Sequence, residues 1–140
     1  MELLSYHNDP TIKAKYVARV KAHAEADEIQ QGIYWENGKG CAVGCTIHGD
    51  RHTDYESELG LPEWLARLED RLFEGMDNAD AKSFPLAFLE AIPVGVTLDR
   101  ARWQFGAFLL RENIACVESL DIEEALKQQV LGAITAVLEV

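Results

Sequence analysis

Apolar side chains recur at helical spacing along most of this 140-residue chain. The clearest stripe surrounds Pro62 and predicts an amphipathic helix with six large side chains on one face: Leu61, Trp64, Leu65, Leu68, Leu72 and Met76. Asp9-Pro10 predicts another helix start, since Asp caps a first turn and Pro fits within it. We therefore predict a mainly α, bundle-like single globular domain, residues 1–140, with five or six helices.

The helical pattern is interrupted near residues 33–43. Asn37-Gly38 lies between two short runs of strand-forming residues and is a strong signal for a tight turn. We expect one small β-hairpin here, which delivers the chain to Cys41. If the chain turns helical at Ala42, Cys41 lies at a helix N-terminus, where backbone N–H groups and the helix dipole favour its thiolate.

The second half of the chain predicts a buried helix. After Thr97 the apolar residues occupy most sides of the predicted helix, which is typical of a central element. A shorter helix is expected from Ser83 to about Ile92, and residues 113–119 are expected to form a loop. The predicted core includes Trp64, Leu68, Leu72, Phe88, Phe105, Leu109 and Ile134.

The last predicted helix is more apolar than one buried face requires. Between Val130 and Leu138 the only polar residue is Thr135. Such a helix either packs under other elements of the same chain or pairs with a second copy. The sequence therefore predicts either intrachain burial or a homodimer.

The negative net charge of the chain limits the kinds of partner that it can bind. The formal net charge is −11, and residues 50–80 hold ten acidic side chains against three arginines. Direct nucleic-acid binding requires a basic face, so we expect none, and a protein partner with a basic surface fits better. No apolar run is long enough to span a membrane. Three cysteines and no basic, apolar leader at the start predict a reducing, cytoplasmic setting.

Residues 38–52 concentrate the candidate chemistry and allow three interpretations. Cys41, Cys45, His48 and His52 are spaced C-x3-C-x2-H-x3-H, a zinc-type ligand set, although only two residues separate its halves. Alternatively, Cys41 is a nucleophile with His52 or His48 as base and Glu56 or Asp54 as the orienting acid. The third interpretation is structural, and it leaves the protein as a non-catalytic, acidic interaction or regulatory module, which is our leading hypothesis.

Three sequence runs between Gln31 and Ile92 resemble a group of small bacterial and phage-associated proteins of unassigned function. These runs are Q-G-x-Y-W-E-N-G-K-G-C-A-V-G-C, H-x-x-Y-E-x-x-L-G-L-P and L-A-R-L-E-D-R-L-F-E-G. The resemblance implies a shared fold and no particular mechanism. Acidic proteins from phage or mobile DNA are sometimes inhibitors of a basic host protein, and the resemblance implies that role as one alternative.

Overall fold

The computed structural model describes residues 2–139 and shows a mainly helical chain with one small antiparallel hairpin, as predicted. Within those residues the α-helices are α1 (Pro10–Glu25), α2 (Ala42–Ile47), α3 (Asp54–Leu59), α4 (Glu63–Glu74), α5 (Asn78–Ala91), α6 (Asp99–Ser119) and α7 (Glu124–Leu138), and a short 3₁₀ helix, Ser5–Asn8, precedes α1. The hairpin strands are β1 (Trp35–Glu36) and β2 (Lys39–Gly40). Contacts divide the chain into two compact units, Met1–Leu98 and Asp99–Val140.

The hairpin forms where the turn signal predicts it. Asn37 and Gly38 both have positive φ, 52° and 81°, which is the conformation of a two-residue turn with Asn-Gly at its centre. The strands pair Trp35 with Gly40 and Glu36 with Lys39. The turn therefore fixes the register and sets the position of Cys41 one residue beyond β2.

Helix α2 is the centre of the first unit. All six of its residues are buried, and it packs against α1, α3, α4 and α5. Its start lies directly on the hairpin: a Cβ added at Gly40 or Gly44 would come within 2.0 Å or 1.5 Å of the Tyr34 carbonyl oxygen. Only glycine permits this approach at either position.

Local signals predicted several helix ends correctly. Asp9 caps α1 by accepting a hydrogen bond from the Thr11 N–H at 2.8 Å. Helix α3 ends at Gly60, whose φ is 65°, and α4 begins directly after Pro62. The predicted start of α5 at Ser83 is wrong: the helix begins at Asn78 and continues through a buried Pro85.

The core of the first unit consists mainly of residues other than the predicted core residues. Its largest fully buried side chains include Tyr6, Tyr16, Tyr55, Phe73, Leu59, Leu61 and Leu89. Trp64, Leu68 and Phe88, which we expected in the centre, are half-buried and pack against this core, and Leu72 is also half-buried. Helix α4 therefore faces inward through Leu65, Ala66, Glu69 and Phe73.

The second unit contains α6 and α7, which pack against each other and are joined by residues 120–123. None of the described residues of either helix is buried. The assignment of α6 as a buried central helix is therefore wrong: Leu109 is exposed, and Phe105 and Ile134 are only half-buried. The loop expected at residues 113–119 is also wrong, since α6 continues to Ser119. No helix in residues 2–139 is long and apolar enough to cross a membrane.

Candidate functional site

The glycine-rich stretch places Cys41 at the N-terminus of α2, as predicted. Cys41 is the N-cap residue, and its Sγ accepts a hydrogen bond from the Gly44 N–H at 3.5 Å. Its own N–H donates to the carbonyls of Ile33 and Tyr34 at 2.8 and 3.2 Å. The hairpin and the first turn of α2 therefore hold the cysteine from both sides, with 1% of its surface exposed.

The Cys41 thiol faces two carboxylates of α4. Asp70 and Glu74 lie one helical turn apart, and one carboxylate oxygen of each forms a group with Cys41 Sγ in which all atoms lie within 4.8 Å of one another. The same three residues line a pocket of about 160 Å³ together with Gly32, Ile33 and Tyr34. Among the described residues this is the one such group of three or more potential metal ligands.

Neighbouring groups orient both carboxylates. The Gly32 N–H donates to the two Glu74 oxygens at 3.1 and 3.0 Å, and the Tyr34 hydroxyl donates to Asp70 Oδ2 at 3.3 Å. His52 Nε2 lies 3.5 Å from the same Asp70 oxygen, and the His52 ring meets the Tyr34 ring edge-on. The hairpin therefore presents its backbone and Tyr34 to the carboxylate-bearing face of α4.

The expected lowering of the Cys41 thiol pKa is wrong. The pKa of its thiol is raised to about 12: burial is the largest cause and the charges of Asp70 and Glu74 add to it, while hydrogen bonds from the Gly44 and Val43 N–H groups oppose it. Although Cys41 does lie at a helix N-terminus, desolvation outweighs the two backbone donors. At neutral pH the thiol is protonated, which gives no support to a nucleophilic role.

Cys45 belongs to the framework of α2. Its thiol donates to the Gly40 carbonyl at 3.3 Å, and burial raises its pKa to about 12. This hydrogen bond ties the middle of the helix back to β2. Cys45 is absent from the residues that line the pocket around Cys41.

His48 belongs to a separate aromatic cluster. Its ring stacks on Trp35, with centroids 4.4 Å apart, and its Nε2 lies 2.8 Å from His23 Nε2. His23 in turn pairs with Glu28 through its other ring nitrogen at 2.6 Å. Burial lowers the pKa of His48, and the nearby charges of Arg19 and His23 lower it further. The cluster therefore favours a neutral His48.

The structure thus separates the residues that the sequence grouped. Within residues 2–139, Cys41, Cys45, His48 and His52 do not converge as one ligand set. Glu56, one of the expected orienting acids, accepts the Glu63 N–H at 3.0 Å and so caps α4. Asp70 and Glu74 were missed because they lie on the polar face of α4, although their spacing of four residues was a usable signal.

A fully buried carboxyl immediately precedes Asp70. Glu69 accepts a hydrogen bond from the Tyr55 hydroxyl at 2.6 Å, and its second oxygen, Oε1, has no hydrogen-bond partner among the described residues. The pKa of Glu69 is raised to about 8: burial is the largest cause and the Asp70 charge adds to it, while the Tyr55 hydrogen bond opposes it. Glu69 is therefore protonated through the acidic and neutral range.

Most of the acidic segment is engaged within the protein. Seven of its ten carboxyl groups accept hydrogen bonds from other residues of the chain: Asp54, Glu56, Glu58, Glu63, Glu69, Asp70 and Glu74. Internal donors therefore compete with any basic partner for these groups.

Exposed apolar surface is concentrated in the second unit. Nine large hydrophobic side chains are exposed among the described residues, and seven of them belong to this unit: Trp103, Phe108, Leu109, Leu120, Ile122, Leu126 and Val137. Trp103 is 74% exposed. Exposed apolar side chains in this number are typical of a surface that binds another protein.

Comparison with known proteins adds no family to this picture. No protein-family model, curated protein or solved structure matches the chain. The resemblance to small phage-associated proteins stays a prediction, and the function of the chain has to be argued from its own geometry.

Proposed function

We propose that this chain is a protein-interaction module that assembles with a second copy of itself through the hairpin formed by α6 and α7. The observation that carries the proposal is the concentration of exposed apolar side chains on a unit with no buried residue among those described. Two packed helices cannot cover both sides of their shared seam. A second pair of helices would complete a four-helix bundle.

The burial pattern of the α6–α7 pair fits a helix interface that is only partly covered. Half-buried residues recur at helical spacing along α6, at Phe105, Leu110, Ile114 and Val117. On α7 the half-buried residues include Val130, Ile134 and Leu138. These positions are the ones that a bundle would bury fully, because they follow the three-to-four residue repeat of a helix seam.

The distribution of charge favours a second copy in antiparallel orientation. The end of the α6–α7 pair that contains the connection, residues 111–127, has five acidic and two basic side chains. The opposite end, residues 99–110 and 128–139, has two acidic and two basic side chains. An antiparallel pair places each acidic end against the end that contains Arg100 and Arg102. A parallel pair would place the two acidic ends together, which is unfavourable.

Light scattering coupled to size exclusion tests the proposal on the full chain at micromolar concentration. We expect twice the chain mass for the wild type and a single chain mass for Leu126→Arg, which places a charge on an exposed apolar position of α7. Leu3→Arg is the matched control, because Leu3 is an exposed apolar residue of the other unit. It should stay dimeric.

Two results would overturn the proposal. One is a monomeric wild type whose mass does not change with concentration. The other is a dimer that Leu126→Arg leaves intact and Leu3→Arg disrupts, which would move the interface to the first unit.

A further inference from the structure

We propose that Cys41, Asp70 and Glu74 form a binding site for a divalent transition-metal ion, with zinc as the best match. The proposal is independent of dimer formation and uses a ligand set different from the four residues grouped by sequence spacing. Three ligand atoms from three side chains already lie within 4.8 Å of one another and share a pocket.

The donor types select the class of ion. Thiolate is a soft ligand, which suits zinc and other late transition metals, whereas magnesium and calcium sites consist of oxygen ligands. Binding of the ion displaces the Cys41 proton, and the resulting thiolate and two carboxylates supply three negative charges to a divalent cation. The set therefore fits a zinc site with three protein ligands and a fourth position left for water or another side chain.

The separation of the ligand atoms requires only modest side-chain movement. Tetrahedral zinc, with bonds of about 2.0 to 2.3 Å, separates its ligand atoms by about 3.3 to 3.8 Å. Cys41 is fixed by the hairpin and α2, while Glu74 lies on the exposed surface of α4 and Asp70 is half-buried. The carboxylate side chains can therefore close the remaining distance by adjusting their rotamers.

An unsatisfied buried group beside the site gives independent support. His52 Nε2 is inaccessible to solvent and has no hydrogen-bond partner among the described residues, on a side chain that is 11% exposed. Buried polar groups without partners are uncommon and need an explanation.

His52 lies beside the site and contacts one of its ligands. Its Nε2 lies 3.5 Å from Asp70 Oδ2, but it is not part of the group of ligand atoms that lie within 4.8 Å of one another, so the fourth position is left to water. The Tyr34 hydroxyl and the Gly32 N–H then act on the bound carboxylates as outer-shell donors. Donors of this kind fix ligand orientation in metal sites.

The test uses the full chain, stripped of metal with a chelator and titrated with Co(II) as a spectroscopic probe. We expect saturation at one ion per chain, with a near-ultraviolet thiolate-to-cobalt charge-transfer band and displacement by one equivalent of Zn(II). Cys41→Ser should lose the band, and its affinity should fall by at least about tenfold. Serine is a preferred N-cap residue, so this variant retains the cap of α2.

Cys45→Ser is the matched control, since a hydroxyl can also donate to the Gly40 carbonyl, and this variant should keep the band. Glu74→Gln changes an exposed ligand and should weaken binding with little effect on folding, which keeps the test valid if Cys41→Ser is unstable. The proposal is overturned if the wild type shows no charge-transfer band at stoichiometric cobalt. It is also overturned if Cys41→Ser keeps the band, because another cysteine is then the ligand.

Discussion

The buried carboxyl of Glu69 should make the protein less stable as pH rises through neutrality. Its pKa is about 8 in the folded chain, against an ordinary value of 4.5. Above pH 4.5 the unfolded chain releases a proton that the folded chain keeps, so the free energy of unfolding falls until about pH 8. One pKa unit is worth about 1.4 kcal/mol, and the full effect is therefore about 5 kcal/mol.

Replacing Glu69 by Gln removes the titrating group but keeps an oxygen that accepts a hydrogen bond from the Tyr55 hydroxyl. Urea denaturation of both proteins, at pH 5 and pH 8 with a chelator present, measures the difference in unfolding free energy. We expect this difference to change by about 3 to 4 kcal/mol in favour of the variant as pH rises. Subtracting the two proteins cancels His48, whose lowered pKa acts in the opposite direction below pH 6.5.

Glu36→Gln, a change at an exposed carboxyl, is the control and should show no such trend. A difference between the wild type and Glu69→Gln that stays constant within about 0.5 kcal/mol from pH 5 to pH 8 would refute the reasoning. Glu69 would then be ionised in the folded protein and stabilised by groups that the buried geometry does not provide.

Three further predictions concern packing and access. Gly44→Ala should destabilise the first unit by at least about 3 kcal/mol in urea denaturation, because its Cβ would lie 1.5 Å from the Tyr34 carbonyl oxygen; an unchanged midpoint would contradict this contact. Exposed Cys116 should react with a thiol reagent at once, whereas buried Cys41 and Cys45 should react only on unfolding; rapid labelling of three thiols would contradict their burial. A fragment of residues 1–98 should unfold cooperatively, because all the described buried residues lie within it, and loss of cooperativity would show that the second unit is needed.

Local signals in the sequence were sufficient for much of the fold. The Asn37-Gly38 turn, the Asp9 cap and the helix after Pro62 depend on neighbouring residues, and all three are confirmed. The start of α5 was missed because Ser83 resembles a cap and Pro85 resembles a first-turn residue. Their local preferences were overridden by packing, since Pro85 is buried inside a longer helix.

The wrong predictions about which residues of α6 are buried have a different cause. An apolar pattern on several sides of α6 indicates that the helix needs contacts, but it does not say whether they come from the same chain. The same pattern is compatible with a core helix and with an interface helix. Residues such as Leu109 were therefore assigned to a core that the described second unit does not contain.

The candidate site was half predictable. The glycine-rich stretch correctly placed Cys41 at the start of α2, since this depends on local backbone geometry. Its partners Asp70 and Glu74 come from a helix some thirty residues later, and only the packing of α4 beside the hairpin brings them together. The pKa of Cys41 is raised, where the sequence predicted a lowered one, because distant elements bury the thiol.

The contact between the Tyr34 carbonyl and the glycines at 40 and 44 has an evolutionary consequence. A relative that keeps this backbone arrangement must keep both glycines, since a Cβ at either position collides with backbone atoms. Cys41 lies between them under no such steric requirement, because serine is equally able to cap the helix. Lineages could therefore lose the thiol and keep the scaffold, so shared glycines would report common ancestry while the cysteine would report shared chemistry.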